Sequence, residues 1–290
     1  AKPGDVKDYF WSSTQSLFTD GWTLVFSRIS SVFGDIPNGE SATAAGDTSS
    51  RVRDTRSIAD SPRLVRAAYK SLQLVASDFI ALLPRQCRLD LVNSLSRFAL
   101  QQEDFNISLT TTSSFWNISD FLQGQIEEFC IESHVELSVS EETLSALARG
   151  DEPSVSRNAL WLLLLLRIVS LARDSRLEIR NCAIQTLLRI FDAYGQQLSP
   201  KAWRLCLNRV LFLMVETIEL ELANSRAAEK ARGSEVVHSW IETAVVMIKG
   251  IANLITTFFG AYGWRQCLWT LPGNISWDIC TSLSAQTSWS

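Results

Sequence analysis

The run DSRLEIRNCAIQTLLRIFDAYG, from Asp174 to Gly195, carries two kinds of information at once. Ile179, Ala183, Leu187 and Ile190 recur at steps of four, four and three, which places them on one face of a helix. Asp174 stands six residues before Arg180, in what reads as the turn ahead of that helix. An aspartate there meets the positive end of the helix, and an arginine early in the helix can reach back to it. Together these features predict the second helix of a helix pair. If Asp174 and Arg180 pair while partly buried, replacing either with alanine should cost ~1–3 kcal/mol.

The same spacing occurs earlier. Asp60-Ser61-Pro62-Arg63-Leu64-Val65-Arg66 again sets an aspartate six residues ahead of an arginine, with Pro62 suited to a first helical position. Two such turns, each opening an apolar stripe, make Asp60, Arg66, Asp174 and Arg180 a repeat ladder. They predict an all-α fold, an armadillo/HEAT-like helical-repeat solenoid in which each pair buries its stripe against its neighbours.

Composition agrees with long helices. The 290 residues are 46% hydrophobic and 20% charged, with 13 Gly and 7 Pro, which describes a folded chain with few breakers. A net charge of −4 offers no general attraction to nucleic acid. The charge is uneven, though. From Pro153 to Val210 nine basic residues face three acidic ones, and Arg173, Arg176, Arg189, Arg204 and Arg209 form a candidate basic partner face. Its plain reading is the solvated side of amphipathic helices. Six cysteines show no C-x-x-C pair, which fits a reducing compartment and no zinc site.

The opening residues AKPGDVKDYF have no apolar core region, so no secretory leader is expected there. The apolar run Ala159–Leu166 is shorter than the ~18 residues of a membrane span, so it is expected to be a buried helix. Along the chain, residues 1–34 read as a helical pair and 35–60 as a flexible linker. Residues 61–260 read as the HEAT-like array, with an acidic loop at 131–152, and 261–290 as an irregular tail. The Asn-Ile-Ser triplets at Asn106 and Asn117 fall inside a helical segment, which argues against glycosylation.

Nothing in the sequence builds an active site. His134 and His238 have no activated nucleophile near them, the adjacent glutamates Glu127-Glu128 and Glu141-Glu142 cannot converge from a helix, and no phosphate-cradling glycine motif occurs. No cofactor is expected.

Several blocks are more specific than periodicity requires. They are Phe105-Asn106-Ile107-Ser108-Leu109, Phe115-Trp116-Asn117-Ile118-Ser119-Asp120-Phe121-Leu122, Glu178 to Leu187 (with Asn181 and Gln185), and Phe191-Asp192-Ala193-Tyr194-Gly195. Together with Trp240-Ile241-Glu242-Thr243 they resemble the Mon-two family over roughly Gly21 to Gly260, as a piece of its C-terminal half. That resemblance implies a non-enzymatic scaffold, similar to the large Arf exchange factors without their catalytic module. It implies a cytoplasmic place on late Golgi and endosome membranes. It also implies protein transport with a Dopey-type protein, an Arf-like small GTPase and an aminophospholipid flippase. The alternative is a peripheral membrane-surface or GTPase-binding regulatory module using the basic face.

Overall fold

The computed structural model describes residues 3–33, 62–125, 129, 131, 139–228 and 234–259. Among them every regular element is helical and there is no strand, so the fold is all-α, built from helices packed on one another. In chain order the helices are α1 (Pro3–Ser30), α2 (Pro62–Leu74), α3 (Arg85–Leu100), α4 (Phe105–Gln123) and α5 (Glu141–Ala148). They continue as α6 (Pro153–Leu171), α7 (Leu177–Tyr194), α8 (Pro200–Cys206), α9 (Phe212–Ala227) and α10 (Ser234–Phe259).

Two expectations change. Instead of a helical pair, the N-terminal segment is the single helix α1 with a 3₁₀ turn at Ser31–Phe33. Gly21 does not break it, because one glycine in a helix costs only ~1 kcal/mol and neighbouring turns carry it. The acidic segment holds a full helix, α5, whose glutamates Glu141 and Glu142 sit in its first turn and suit the helix dipole. α7 ends at Tyr194 with Gly195 as the capping residue, which keeps right-handed geometry (φ −58°, ψ −30°) and leads into a 3₁₀ turn. Glycine is needed there because a Cβ would lie 2.6 Å from Trp203 and 2.8 Å from Phe258. The proposed linker 35–60 and tail 261–290 lie outside the described residues.

Residues 1–111 with 148–151 form one compact unit, and 112–147 with 152–290 a second. In the first, α1 packs on α3, where Ser30 and Ser94 hydroxyls meet at 3.1 Å. Phe98 is its centre, with Phe33 edge-on at 4.7 Å and Tyr69 at 5.8 Å between ring centroids. Val65, Leu72, Leu91 and Leu95 close around them, each fully or almost fully buried. The C-terminal end of α2 widens into a π-helical turn at Val75–Phe79 before Pro84 stops the chain and α3 begins.

The second unit is organised by α6. Its residues Trp161 to Leu165 are 0% exposed, as expected of a helix that is apolar on all sides. The helix as a whole is long and apolar enough to cross a membrane, but 78% of that apolar window is buried inside the protein. Trp161 also anchors a row of aromatic rings. Phe129, Trp161, Phe191, Trp203 and Phe258 follow one another at centroid spacings of 5.5, 6.3, 5.5 and 5.3 Å. The polar edge of each indole is satisfied, Trp161 donating to Ser119 Oγ at 2.9 Å and Trp203 to the Gly195 carbonyl at 2.9 Å. α7 lies against α6 on one side and α10 on the other, and α9 also packs on α10. The contact of α7 with α10 is close at Gly250, where a Cβ would meet Leu188 Cδ1 at 2.0 Å.

Candidate interaction surface

The predicted ladder residues are arranged differently from expectation. The Asp174 carboxylate does not take Arg180. It is gripped by the two-pronged guanidinium of Arg176, Nε at 2.8 Å on one oxygen and Nη2 at 2.7 Å on the other, and it also accepts the Arg176 backbone N–H at 2.9 Å. Arg180 is 1% exposed. Its Nη1 donates to the main-chain carbonyls of Asp174 (2.9 Å) and Ser175 (2.8 Å), closing the turn from inside. Its Nε donates to Thr243 Oγ1 at 3.1 Å and Nη2 to Ser239 Oγ, both on α10. The guanidinium carbon lies 3.9 Å from the ring centre of Trp240. Burial pushes its pKa down, while the Asp174 and Glu178 carboxylates act against that. Geometry explains the swap. A side chain two residues from Asp174 can fold straight onto its carboxylate, which frees the inward-pointing arginine to bind carbonyls and the helix across.

At the earlier turn, Asp60 lies outside the described residues and Arg66 turns to Asp104, Nε to Oδ2 at 2.7 Å, with its side chain 60% exposed. Asp104 caps α4 by accepting the backbone N–H groups of Asn106 and Ile107. The Arg66 guanidinium and these N–H groups hold its carboxyl below the usual carboxylate range.

The signature residues divide into buried and surface sets. Ser108 is buried and tied to Gln101, accepting its amide at 2.8 Å and donating to its carbonyl at 2.9 Å. Phe115 is core, and Phe121 is half-buried. Phe105, Asn106, Asn117, Gln185 and Asp192 are exposed. Gln185 faces outward, and the buried Oδ1 of Asn181 has no partner among the described residues.

Two signature blocks do meet at the surface of the second unit. Trp116 and Asp120, one turn apart on α4, face Arg189 and Tyr194 on α7. The Arg189 guanidinium lies 4.0 Å over the Trp116 ring, and Tyr194 stacks on the same ring at 5.9 Å and 24°. The Tyr194 hydroxyl donates to Asp120 Oδ1. Burial first, and then the Asp120 carboxylate, push the Tyr194 pKa up to about 12. Tryptophan, tyrosine and arginine are the residues that dominate protein–protein interfaces, so this half-buried knot is the candidate contact surface.

The basic face is largely engaged within the fold. Arg173 pairs with Glu221 at 3.0 Å, Arg176 with Asp174, and Arg189 with Trp116. Arg209 donates to the Val139 carbonyl at 2.7 Å, and Arg204 is exposed. Among the described residues no three acidic, histidine or cysteine side chains gather as a metal site. The sequence reading missed Ser239 and Thr243 as partners of Arg180. Their signal was present as two hydroxyls four residues apart, which places them on one face of a helix.

Fold and surface together define a helical-repeat protein whose most distinctive exposed feature is an aromatic and arginine knot. The chain belongs to the Mon2 family, since residues 77–260 match the family described as the C-terminal region of Mon2 protein. It is 30% identical over 232 residues to Protein MON2 homolog of Homo sapiens, covering 74% of this chain and 13% of that protein. It is 31% identical over 194 residues to the Schizosaccharomyces pombe protein of the same name, covering 67% of this chain and 12% of that protein. It is also 28% identical over 234 residues to Monensin-resistant homolog 2 of Caenorhabditis elegans, covering 75% and 12%. The chain thus spans only about one eighth of the curated relatives it matches. No solved structure matches it.

Proposed function

We propose that this segment is a non-enzymatic, protein-binding part of a Mon2-family scaffold in vesicle traffic between late Golgi and endosomes. Its work is to present a rigid helical surface to other trafficking proteins, a Dopey-type protein first, with an Arf-like GTPase and an aminophospholipid flippase as further partners. The observation that carries the reading is the knot of Trp116, Asp120, Arg189 and Tyr194. It draws on two sequence blocks far apart in the chain and puts interface-type side chains at the surface. His238, the one described histidine, sits exposed beside Glu242 at 3.5 Å.

The competing reading, a membrane-surface or GTPase module using the basic face, has less to work with, because four of the five arginines are turned to partners in their own fold. A capture assay with purified Dopey-type protein tests the proposal. The chain should retain it, and Trp116→Ala with Arg189→Ala should weaken retention at least ~tenfold, as loss of hot-spot residues does. Retention that is absent, or indifferent to both substitutions, removes the proposal. Salt-sensitive flotation with acidic vesicles would favour the competitor.

A further inference from the structure

α10 carries two apolar stripes. One is filled: Val237, Trp240, Met247, Ile251 and Leu254 are buried within the second unit. The other, Ile241, Val245, Ile248, Ala252 and Ile255, runs one residue further on, roughly 100° around the helix. Ile241, Val245 and Ile248 are 38%, 42% and 49% exposed. The steps of this second stripe are four, three, four and three, the spacing of a coiled-coil seam. Only 28% of the apolar window of this helix is buried inside the protein, against 78% for α6.

The charges beside the seam indicate what fits it. Glu242 and Lys249 lie on one flank, seven residues apart and both exposed. When two copies of α10 are laid antiparallel about a two-fold axis near Val246, Glu242 of each faces Lys249 of the other. Val245 then faces Ile248, and Ile241 faces Ala252. A parallel arrangement offers no such pairing. Anionic lipid is disfavoured by Glu235 and Glu242 on the same exposed side. We propose that α10 is a self-association seam through which two copies of this chain pair antiparallel. The seam is only ~21 Å long at 1.5 Å per residue, so the dimer is small and reversible.

Sedimentation of the 290-residue chain over a wide concentration range should show a monomer–dimer equilibrium. Val245→Glu, at an exposed site, should abolish the dimer and leave the melting temperature unchanged. Glu242→Lys or Lys249→Glu should each weaken dimerisation roughly tenfold, since both reciprocal pairs become like-charged, and the double exchange should restore it. Zero-length cross-linking should join Glu242 of one copy to Lys249 of the other. A chain that stays monomeric overturns the proposal. So does a dimer insensitive to Val245→Glu, a double exchange that fails to restore, or a dimer that forms only when residues 260–290 are deleted. Vesicle binding that Val245→Glu abolishes, without any dimer, would assign the seam to lipid instead.

Discussion

Arg66 and Arg180 stand at the same distance from an aspartate in their respective turns, yet they end in opposite environments. Arg66 is 60% exposed and holds one carboxylate, Asp104, across a loop. Arg180 is 1% exposed and joins two backbone carbonyls, two hydroxyls and an indole. The difference lies in what packs opposite. α10 lies across α7 with Ser239, Trp240 and Thr243 at the position Arg180 reaches, so the guanidinium can be desolvated with its donors satisfied. A turn motif therefore sets where an arginine leaves the backbone, and the neighbouring helix sets what it is worth.

The largest effect follows from removing the buried member. Arg180→Ala leaves the carbonyls of Asp174 and Ser175 without their donor, opens space beside Trp240 and unlinks α7 from α10. The expected loss is ~3–5 kcal/mol, read as a lower denaturation midpoint with an unchanged slope. Arg180→Lys keeps the charge but not the planar fork or the stack on Trp240, so it should recover only part of the loss. An alanine variant as stable as the parent would mean that the buried guanidinium does not staple the two helices.

Asp174 comes next. Asp174→Asn still accepts the Arg176 N–H but gives up the charge-assisted pair with its side chain, a pair whose carboxylate side is only 2% exposed. The expected cost is ~1–2 kcal/mol. The Asp174 carboxylate binds Arg176, but Arg180 bonds the Asp174 carbonyl at 2.9 Å and feels that carboxylate's charge, so Asp174→Asn and Arg180→Ala should show a coupling energy in a double-mutant cycle. A direct ion pair between the two side chains would give a larger one.

Much of this architecture is readable from the sequence, and the unreadable part has a physical cause. The stripe of α7, the proline starts of α6 and α8 and the span of α10 all follow from local periodicity and capping, because those signals act within a turn or two of the chain. Ser199 accepting the Ala202 N–H ahead of Pro200 is such a signal in place. The partner of Arg180, the row of rings from Phe129 to Phe258 and the meeting of Trp116 with Arg189 are contacts between distant residues. Ring count and composition do not say which ring faces which. Gly195 shows the limit well. A glycine at a helix end suggests a left-handed cap, yet here the missing Cβ makes room for Trp203 and Phe258.

The surface knot is exposed at Asp120 and Arg189 and half-buried at Trp116 and Tyr194, and its expected effect is intermediate. Arg189→Ala should cost ~0.5–1 kcal/mol, the value of a partly exposed cation–π contact. Its companion Tyr194 gives a separate optical readout. The folded-state pKa is raised to about 12, above the ~10 of a free tyrosine. The stability this provides is complete below the free value and is lost as pH rises through the folded one. Ultraviolet titration should show a late phenol that Tyr194→Phe removes, and Asp120→Asn should bring it back toward the ordinary range. A late phenol that persists in Asp120→Asn would mean that burial alone sets it.

Arg66 closes the scale. Its pair with Asp104 is solvent-exposed on the arginine side, so Arg66→Ala should cost only about 0.2–0.5 kcal/mol at neutral pH and less in high salt. The acid limb distinguishes it better. The Asp104 carboxyl titrates below its usual range when folded, chiefly because Arg66 donates to it. Its contribution is therefore present above the unfolded carboxylate pKa and disappears as pH falls through the lower, folded value. Arg66→Ala should flatten that part of the stability curve while the N-cap bonds to Asn106 and Ile107 keep some of the slope. Removing the cap as well, with Asp104→Ala, should cost ~1 kcal/mol more at neutral pH, because an exposed ion pair is weaker than the hydrogen bonds that begin a helix. If Arg66→Ala proved as damaging as Arg180→Ala, exposure would not be what separates the two turns.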